Sequence, residues 1–228
     1  MEATVYNNID VSYLDRKILC EDGRIKLIPA DFYLALRPHH LRIWLHGQAR
    51  YGVPTVELVA WTKERIAGRK AIEVGAGNAD LGYHVGITQT DSYMQTDRLV
   101  AKEYYEAGRQ PPTRPKKDVL KMDAIQAMNR LHPDVIVASW LTHKFDPSKG
   151  DIEGVSDGNM FGPDEEKFVQ RAQTYIHIGA EKIHGRKRIL ALPHEELRFP
   201  WLISRVADQS ENVIYVWDKL PGIIQPAP

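Results

Sequence analysis

The sequence is poor in the residues that stabilise small folds covalently or through metals. Its 228 residues include one cysteine, Cys20, which excludes an internal disulfide framework and a cysteine-based zinc cage. His39, His40 and His46 are close in sequence, but no carboxylate or further histidine completes a usual ligand spacing near them. We therefore expect no metal site. The single cysteine and the absence of a recognisable leader sequence favour a reducing cytoplasm.

Long apolar runs and an excess of charge of one sign are also missing. No stretch approaches the ~20 apolar residues of a membrane span, so we expect no membrane partner. Thirty basic and thirty acidic residues give a net charge of zero, so no overall field would attract nucleic acid. A local basic patch is still compatible with this balance. The loop 109–121 is one candidate, although such loops are more often solvated connections.

The first quarter of the chain differs in pattern from the rest. Two short strand-like runs surround a turn at 21–23, which predicts a hairpin over 17–28. Two helical pieces follow, broken at Pro38. A further helix is predicted to begin after Thr55 as its N-cap and to end at Gly68. We assign residues 1–53 to an N-terminal hairpin and helical cap, and residues 54–228 to the main domain.

From residue 70 onward the sequence alternates between strand and helix patterns. The predicted strands are 70–74, 92–96, 117–122, 134–139, 187–192 and 212–217. The predicted helices are 79–86, 98–107, 124–131, 164–184 and 195–208. This alternation predicts an α/β fold with a doubly wound, mostly parallel sheet and helices on both faces. Ligands of such sheets bind beyond the carboxyl ends of the strands.

The stretch KAIEVGAGNADLG, residues 70–82, places a glycine turn directly after the first strand. Gly75 and Gly77 allow the backbone to adopt positive φ and to approach a ligand closely. A dinucleotide-binding turn requires a third glycine three residues after the second, but that position is Asp80. The next glycine is Gly82. The spacing therefore argues against a nicotinamide cofactor.

The turn instead resembles motif I of the class I S-adenosylmethionine-dependent methyltransferases. Glu73, Gly75 and Gly77 match its acidic-x-Gly-x-Gly pattern, and Ala79 replaces the third glycine. A carboxylate inside the turn suits a cationic ligand and would repel a phosphate. The resemblance implies that residues 73 and 75–77, including Ala76, hold the cofactor. Alternatively, Glu73 is a strand carboxylate paired with a neighbouring cation.

Acidic residues at later strand ends extend the resemblance. In the family, the acidic residue that ends strand two accepts the ribose hydroxyls, which implies this role for Asp97, followed by Arg98. An acidic residue after strand three binds the adenine amino group, which implies Asp123 with the backbone of Ala124. Helix capping is the alternative for both aspartates. Ser139, at the end of strand four, completes the expected cofactor residues.

The resemblance covers about residues 54–218 and departs from the family at one edge. The family usually ends with an antiparallel hairpin formed with strand seven. Only one predicted strand, 212–217, follows the predicted strand five, and the proline-rich tail is unsuited to another inner strand. How this edge of the sheet ends is therefore left open by the sequence, and the N-terminal hairpin is one candidate to cover it.

The acceptor side is predicted from the segment 142–163, which is rich in Gly, Asp and Ser and has the length of a functional lid. His143 lies at its base, and His194 follows the predicted strand five, so either imidazole could serve as a general base. The alternatives are a hydrogen bond from His143 to the lid and a capping role for His194. The chain lacks the Asn/Asp-Pro-Pro-aromatic and Pro-Cys sequences of DNA methyltransferases after strand four.

Taken together, these features predict an enzyme that transfers a methyl group from S-adenosylmethionine to an oxygen or nitrogen of a small-molecule acceptor. One alternative is a catalytically inactive S-adenosylmethionine-binding module. Another is an RNA-modifying methyltransferase of the same fold. The RNA alternative requires that residues 109–121 and the basic side chains of the N-terminal segment form one face beside the pocket.

Overall fold

The computed structural model describes residues 9–102, 111–145, 158–159 and 161–219. In this part of the chain, seven strands form one sheet in the order β3-β2-β1-β4-β5-β7-β6. The strands are β1 (Ala71–Val74), β2 (Thr88–Asp91), β3 (Leu120–Lys121), β4 (Val135–Ser139), β5 (Thr174–Ala180), β6 (Glu195–Leu197) and β7 (Asn212–Asp218).

The first five strands pair in parallel, and β7 runs antiparallel to both β5 and β6. The predicted α/β class with a mostly parallel sheet is thus confirmed. The antiparallel pair β6–β7 is the hairpin that the family resemblance implies. The sequence left this edge open because strand five, residues 174–180, lies earlier in the chain than predicted.

Four of the predicted elements require correction. The second strand is residues 88–91, and the predicted strand 92–96 contains a short 3₁₀ helix, Met94–Thr96. The predicted helix 164–184 contains β5, and the predicted strand 187–192 contains a 3₁₀ helix, Arg188–Ala191. The predicted helix 195–208 begins with β6.

The physical reason for the error at β5 lies in its sequence, TYIHIGA. All seven of its residues are buried, yet His177 and Gly179 interrupt the apolar run that marks a central strand. The more apolar stretch RILAL contributes one buried side chain, Ile189, whose carbonyl accepts a hydrogen bond from the Trp217 indole at 3.0 Å. Apolar content alone therefore favoured the wrong segment.

Eight helices have defined bounds in the described residues. They are α1 (Tyr13–Ile18), α2 (Ala30–Leu34), α3 (Pro38–Gly47), α4 (Val56–Ile66), α5 (Leu81–Val85), α6 (Ala124–Leu131), α7 (Glu166–Arg171) and α8 (Glu181–His184). Helical residues also begin at 98, and the remainder of the predicted helix 98–107 lies mostly outside the described residues. The turn at 21–23 is closed by a single antiparallel bridge between Leu19 and Ile25.

Two predicted helix starts are confirmed in detail. The Thr55 hydroxyl accepts a 3.1 Å hydrogen bond from the Leu58 N–H and caps α4. Pro38 occupies the first turn of α3, where its missing N–H leaves no helical hydrogen bond unmade.

Apolar side chains pack on both faces of the sheet. Val135 and Val137 of β4 belong to the cluster that includes α4 and α5, whereas Ile136 and Ala138 belong to the cluster that includes α6 and α7. This alternation follows from the two-residue period of a strand. A third cluster joins α1, α2 and α3 around Trp44 and also contains Ile203 of the main domain. None of the helices in the described residues combines the length and apolar character needed to cross a membrane.

Candidate functional site

A cleft opens at the carboxyl ends of the parallel strands. Its walls come from the glycine turn after β1, the end of β2, the turn after β4, the end of β5 and the segment before α4. The lining residues include Arg50, Tyr51, Gly75, Ala76, Gly77, Asn78, Asp91, Met94, Gln95, Ser139, Trp140, Leu141, Thr142, Ile178 and Gly179. This is the position at which ligands of open α/β sheets bind.

The glycine turn has the backbone conformation predicted for it. Gly75 and Gly77 adopt φ values of +65° and +55°. Ala79 also adopts a positive φ of +65° and is fully buried. A residue with a Cβ in this region is strained by about 1–2 kcal/mol. The chain therefore keeps the left-handed geometry at the third position of the motif although glycine is absent there.

Glu73 is buried beneath the turn, and only 2% of its surface is exposed. Its Oε2 accepts hydrogen bonds from the Gly82 N–H at 2.9 Å and from the Gln89 amide at 2.8 Å. Burial raises the pKa of this carboxyl to about 7, and the nearby charges of Asp80 and Asp91 act in the same direction. Both donors are uncharged, so these contacts differ from the predicted pairing with a cation.

Gly82 is the third glycine of the stretch 70–82, and packing explains why glycine is needed there. A Cβ at this position would lie 2.5 Å from the Glu73 Oε2 and 2.7 Å from the Gln89 Cγ. Glycine is therefore required for α5 to approach the buried carboxylate. Its role is packing and not ligand contact.

The acidic residue at the end of β2 is Asp91 and not the predicted Asp97. The carboxylate of Asp91 lines the cleft and accepts hydrogen bonds from the N–H groups of Gly77 at 2.9 Å and Tyr93 at 2.7 Å. Asp97 and Arg98 are exposed and do not line the cleft. Oδ1 of Asp97 accepts from the N–H of Leu99 at 2.9 Å, as in a helix cap. The structure thus contradicts the placement of Asp97 at a strand end.

Of the remaining predicted cofactor residues, one lines the cleft and two do not. Ser139 lines the cleft at the end of β4, as expected. Asp123 is exposed and forms a capping box with Gln126 at the start of α6, so the capping alternative describes its contacts. Ala124 is the first residue of that helix, and neither it nor Asp123 lines the cleft.

The two histidines predicted on the acceptor side lie apart from the cleft lining. His194 precedes β6 and does not follow strand five; its ring packs against Trp217 and Tyr215 at centroid distances of 5.5 and 5.6 Å. The placement of His194 at the strand-five end is therefore wrong. His143 is buried directly after Thr142, which lines the cleft. Most of the predicted lid, residues 146–157 and 160, lies outside the described residues.

Sequence reasoning did not anticipate how firmly the N-terminal segment joins the glycine turn. The Arg50 guanidinium pairs with the Asp80 carboxylate, with 2.8 Å between Nε and Oδ2, and only 6% and 12% of the two side chains are exposed. The same guanidinium donates to the carbonyl of Gly23 at 2.6 Å. Asp80 also accepts from the Ile25 N–H at 2.8 Å. The N-terminal segment thus forms one wall of the cleft.

The turn after β4 presents an aromatic side chain in an unusual conformation. Trp140 has a φ of +60°, which is rare for a bulky residue and marks backbone strain. Its indole stacks on Tyr51 at a centroid distance of 5.9 Å, and the Arg205 guanidinium lies 3.9 Å from the centre of the Tyr51 ring. This contact joins the N-terminal wall of the cleft to the turn after β4.

Residues 111–121 and the N-terminal segment meet at one rim of the cleft. Thr113 lines the cleft, and the Lys116 ammonium donates to the carbonyl of Asp22 at 2.5 Å. Arg24 pairs with Asp22 at 2.6 Å and also with Asp118. Arg24 and Lys116 are therefore both bound within the fold at this junction.

In the ranges that the structure describes, no group of three or more His, Cys, Asp or Glu residues is arranged to hold a metal ion.

Comparisons with known proteins give distant structural similarities. Neither a protein-family model nor a curated protein sequence matches the chain. A solved Pyrococcus abyssi tRNA (uracil-54, C5)-methyltransferase in complex with S-adenosyl-L-homocysteine aligns with a TM-score of 0.35 and 12% identity. The alignment covers 71% of this chain and 36% of that one.

The hMettl16 catalytic domain in complex with MAT2A 3'UTR hairpin 1 aligns with a TM-score of 0.37 and 16% identity, covering 97% of this chain and 95% of that one. The complex with hairpin 6 gives a TM-score of 0.36 and 14% identity over 96% of both chains. All three scores are too low to transfer an activity. The sheet order, the antiparallel β6–β7 pair and the glycine turn at the cleft define a class I methyltransferase-like fold in their own right.

Proposed function

We propose that this protein binds S-adenosylmethionine in the cleft and transfers its methyl group to an oxygen or nitrogen of a small-molecule acceptor. The observation that carries the proposal is the hydrogen bond between the Gly77 N–H and the Asp91 carboxylate at the ends of β1 and β2. It places a glycine turn and a carboxylate side by side in the cleft. The glycine turn suits the amino-acid end of S-adenosylmethionine, and the carboxylate suits its ribose.

The contacts of Asp91 leave it able to bind the ribose. A carboxylate offers about four acceptor positions, and the N–H groups of Gly77 and Tyr93 occupy two of them. The others can accept two vicinal hydroxyls. In this proposal Asp91 has the role that the sequence had indicated for Asp97. Met94 and Gln95 line the cleft beside it and are the proposed neighbours of the adenine, in place of Asp123 and Ala124.

The electrostatics of the turn favour a sulfonium cofactor over a dinucleotide. A pyrophosphate bound at such a turn would use backbone N–H groups, but the Gly77 N–H is already donated to Asp91. The carboxylates of Asp80 and Asp91 line the same cleft and would repel phosphate. The cation of S-adenosylmethionine would instead be attracted. Ser139 and residues 75–77 complete the proposed cofactor site.

The catalytic requirement is alignment of the methyl group with the acceptor and exclusion of water. A neutral acceptor must also lose a proton, and His143 is the proposed base. It directly follows Thr142, which lines the cleft. His194 is not retained in this role, because its ring lies against β7.

The choice between a small molecule and RNA depends on the rim. Residues 111–121 and the N-terminal segment do adjoin one another beside the cleft, as an RNA-modifying enzyme would require. However, the Arg24 guanidinium pairs with two carboxylates there, and the Lys116 ammonium is bound to a backbone carbonyl. Phosphate binding requires cations that are available to the ligand. This favours the small-molecule acceptor.

Calorimetry with S-adenosylmethionine, S-adenosylhomocysteine and NADH tests the cofactor assignment. We expect both sulfur compounds to bind with Kd values of about 10⁻⁶ to 10⁻⁴ M, or roughly 5–8 kcal/mol. Binding of NADH without either sulfur compound would overturn the proposal. Mass spectrometry of the purified protein would additionally detect a retained cofactor.

Acceptor class is tested with methyl-labelled S-adenosylmethionine and a fractionated cell extract. Label in the small-molecule filtrate supports the proposed activity, whereas label in the RNA fraction identifies the RNA-modifying alternative. Cofactor binding without label transfer to either fraction indicates the inactive binding module.

A further inference from the structure

A buried ion pair lies behind the β4 wall of the cleft. The side chains of Lys187 and Glu165 are 0% and 4% exposed. The Lys187 Nζ lies 2.8 Å from the Glu165 Oε1 and 2.7 Å from its Oε2, and the hydroxyl of Tyr175 donates to the same carboxylate. Charges buried in this way must be stripped of water, so such pairs are weak sources of stability. Their presence here raises the question of what else they hold.

The remaining bond of Lys187 leads to the cleft. An ammonium has three donors, and the third contact of Nζ is with the carbonyl of Leu141 at 3.0 Å. Leu141 follows Trp140 in the turn after β4 and lines the cleft. Its Cδ1 is close enough to the glycine turn that a Cβ at Gly75 would lie 2.7 Å away. One ammonium thus connects the buried carboxylate with the cleft wall.

The turn after β4, whose Leu141 carbonyl accepts this hydrogen bond, contains a strained residue that must be held in place by its surroundings. Trp140 holds a left-handed conformation, and strained residues of this kind persist only where their surroundings determine them. On one side the N–H of Trp140 donates to the Ile178 carbonyl at 2.8 Å. On the other side the Leu141 carbonyl receives the Lys187 ammonium. Trp140 is therefore fixed by a hydrogen bond from its own N–H and by one to the carbonyl of the residue that follows it.

We propose that Lys187 is a positioning residue for the candidate active site. Its ammonium, held by Glu165, fixes the Leu141 carbonyl and so keeps residues 140–142 in the form that the cleft requires. The positioning itself is independent of the cofactor, whereas its effect on ligand binding rests on the proposed function.

The groups around Lys187 are consistent with this role. The pKa values of His177 and His184 lie well below the ordinary range, chiefly through burial and secondarily through the Lys187 charge. Both rings are therefore neutral at pH 7, and Glu165 supplies the countercharge. Burial lowers the pKa of Lys187, and Glu165 opposes this shift. The carboxylate thus helps to keep the amine protonated as a donor to Leu141.

The test compares Lys187→Met with the double variant Lys187→Met/Glu165→Gln. The single variant leaves a buried carboxylate without its partner and should lower the unfolding midpoint. The double variant removes both charges, so its unfolding midpoint should return towards that of the wild type. In the absence of cofactor, hydrogen–deuterium exchange of the peptide 139–145 in the double variant should still be at least 10-fold faster than in the wild type. The reason is that the Leu141 carbonyl has lost its donor.

Two further variants separate positioning from general stability. Glu165→Gln retains the Lys187 amine but removes the carboxylate that holds it, so we expect exchange of 139–145 to be faster than in the wild type but slower than in the double variant. Arg65→Met/Glu195→Gln removes an exposed ion pair away from the cleft and should leave that exchange unchanged. Wild-type exchange in the double variant would overturn the inference. So would exchange in Glu165→Gln that is faster than in the double variant, because the carboxylate would then act on the turn without Lys187.

Affinity for S-adenosylhomocysteine is measured on the same proteins. We expect at least 10-fold weaker binding in the double variant than in the wild type. If the wild type does not bind this ligand but the exchange results are as expected, the positioning role stands and the proposed function is wrong. If the double variant exchanges faster and binds with wild-type affinity, the link between the turn and the cofactor is overturned.

Discussion

The backbone N–H of Gly77 donates a 2.9 Å hydrogen bond to the carboxylate of Asp91, so the glycine turn and the end of β2 act as one unit. The two residues are 14 positions apart in sequence. Because both line the cleft, a ligand that contacts the turn also meets the carboxylate. The cofactor assignment can therefore be tested at Asp91 directly.

Asp91→Asn should weaken S-adenosylhomocysteine binding by roughly 10- to 100-fold. The substitution preserves the size of the side chain but removes the charge from a hydrogen-bonded acceptor, a loss of about 1.5–3 kcal/mol. Calorimetry gives the affinity, and circular dichroism checks the fold. An Asn variant that binds with wild-type affinity would exclude Asp91 as the ribose ligand.

Asp97→Ala is the matched control for the corrected strand register. Its Oδ1 accepts from the N–H groups of Leu99 and Val100, so the substitution should cost about 1 kcal/mol of stability as a lost helix cap. Cofactor affinity should not change. A large loss of affinity in this variant would restore the original assignment of Asp97.

Gly82→Ala should destabilise the fold by about 1–3 kcal/mol, because the new Cβ would overlap the buried carboxylate of Glu73. Gly47→Ala provides the contrast. It ends α3, has no atom within 4 Å of an added Cβ and should be neutral or stabilising by up to ~1 kcal/mol. Urea unfolding of the two variants measures the difference. Equal stabilities would show that α5 does not approach Glu73 as described.

The buried Glu73 carboxyl predicts a stability that falls as pH rises. Its pKa is about 7 in the folded protein against an ordinary value of 4.5, so the folded state binds more protons between these values. By linkage, stability present below pH 4.5 is lost as the pH rises through 7, to a total of about 3 kcal/mol.

Glu73→Gln isolates this contribution from other titrating groups. The difference in unfolding free energy between wild type and variant should change by about 3 kcal/mol between pH 4 and pH 8, in favour of the variant at high pH. Chemical denaturation at both pH values measures it. A pH-independent difference would mean that the carboxyl titrates normally.

His143→Ala tests the proposed base. We expect S-adenosylhomocysteine affinity within about twofold of the wild type and turnover lowered by ~10²-fold or more. The labelled-methyl assay with the identified acceptor supplies the rate. Unchanged turnover would remove His143 from the mechanism. His194→Ala serves as the control, and its position against Trp217 predicts no effect on the rate.

The sequence predicted the elements whose local signals agree with their tertiary surroundings. The helix Ala124–Leu131 was predicted at its observed bounds, because Asp123 provides a strong cap. The strand at 71–74 and the glycine turn after it were likewise predicted from an apolar run followed by glycine. In these places the backbone conformation is determined by neighbouring residues.

The errors arose where the sequence offers two similar choices. The tripeptide Gln-Thr-Asp occurs at 89–91 and again at 95–97, and only the first ends a strand.

Lys187 lies in the basic run HGRKRIL, which is typical of a solvated surface, yet its ammonium is buried against Glu165. Its partner is 22 positions away. Pairing at such distances leaves no local pattern.

The insertion of β7 between β5 and β6 has a consequence for the order in which the protein is made. Within the described part of the chain, the strand β6 pairs with β7 alone, and all seven residues of β5 have a partner in β7. A nascent chain that ends before residue 212 would therefore expose the β5 edge and leave β6 without a neighbour. Such edges promote association with other chains. The sheet can close only after β7 has emerged, so the unpaired β5 edge persists until that point of synthesis.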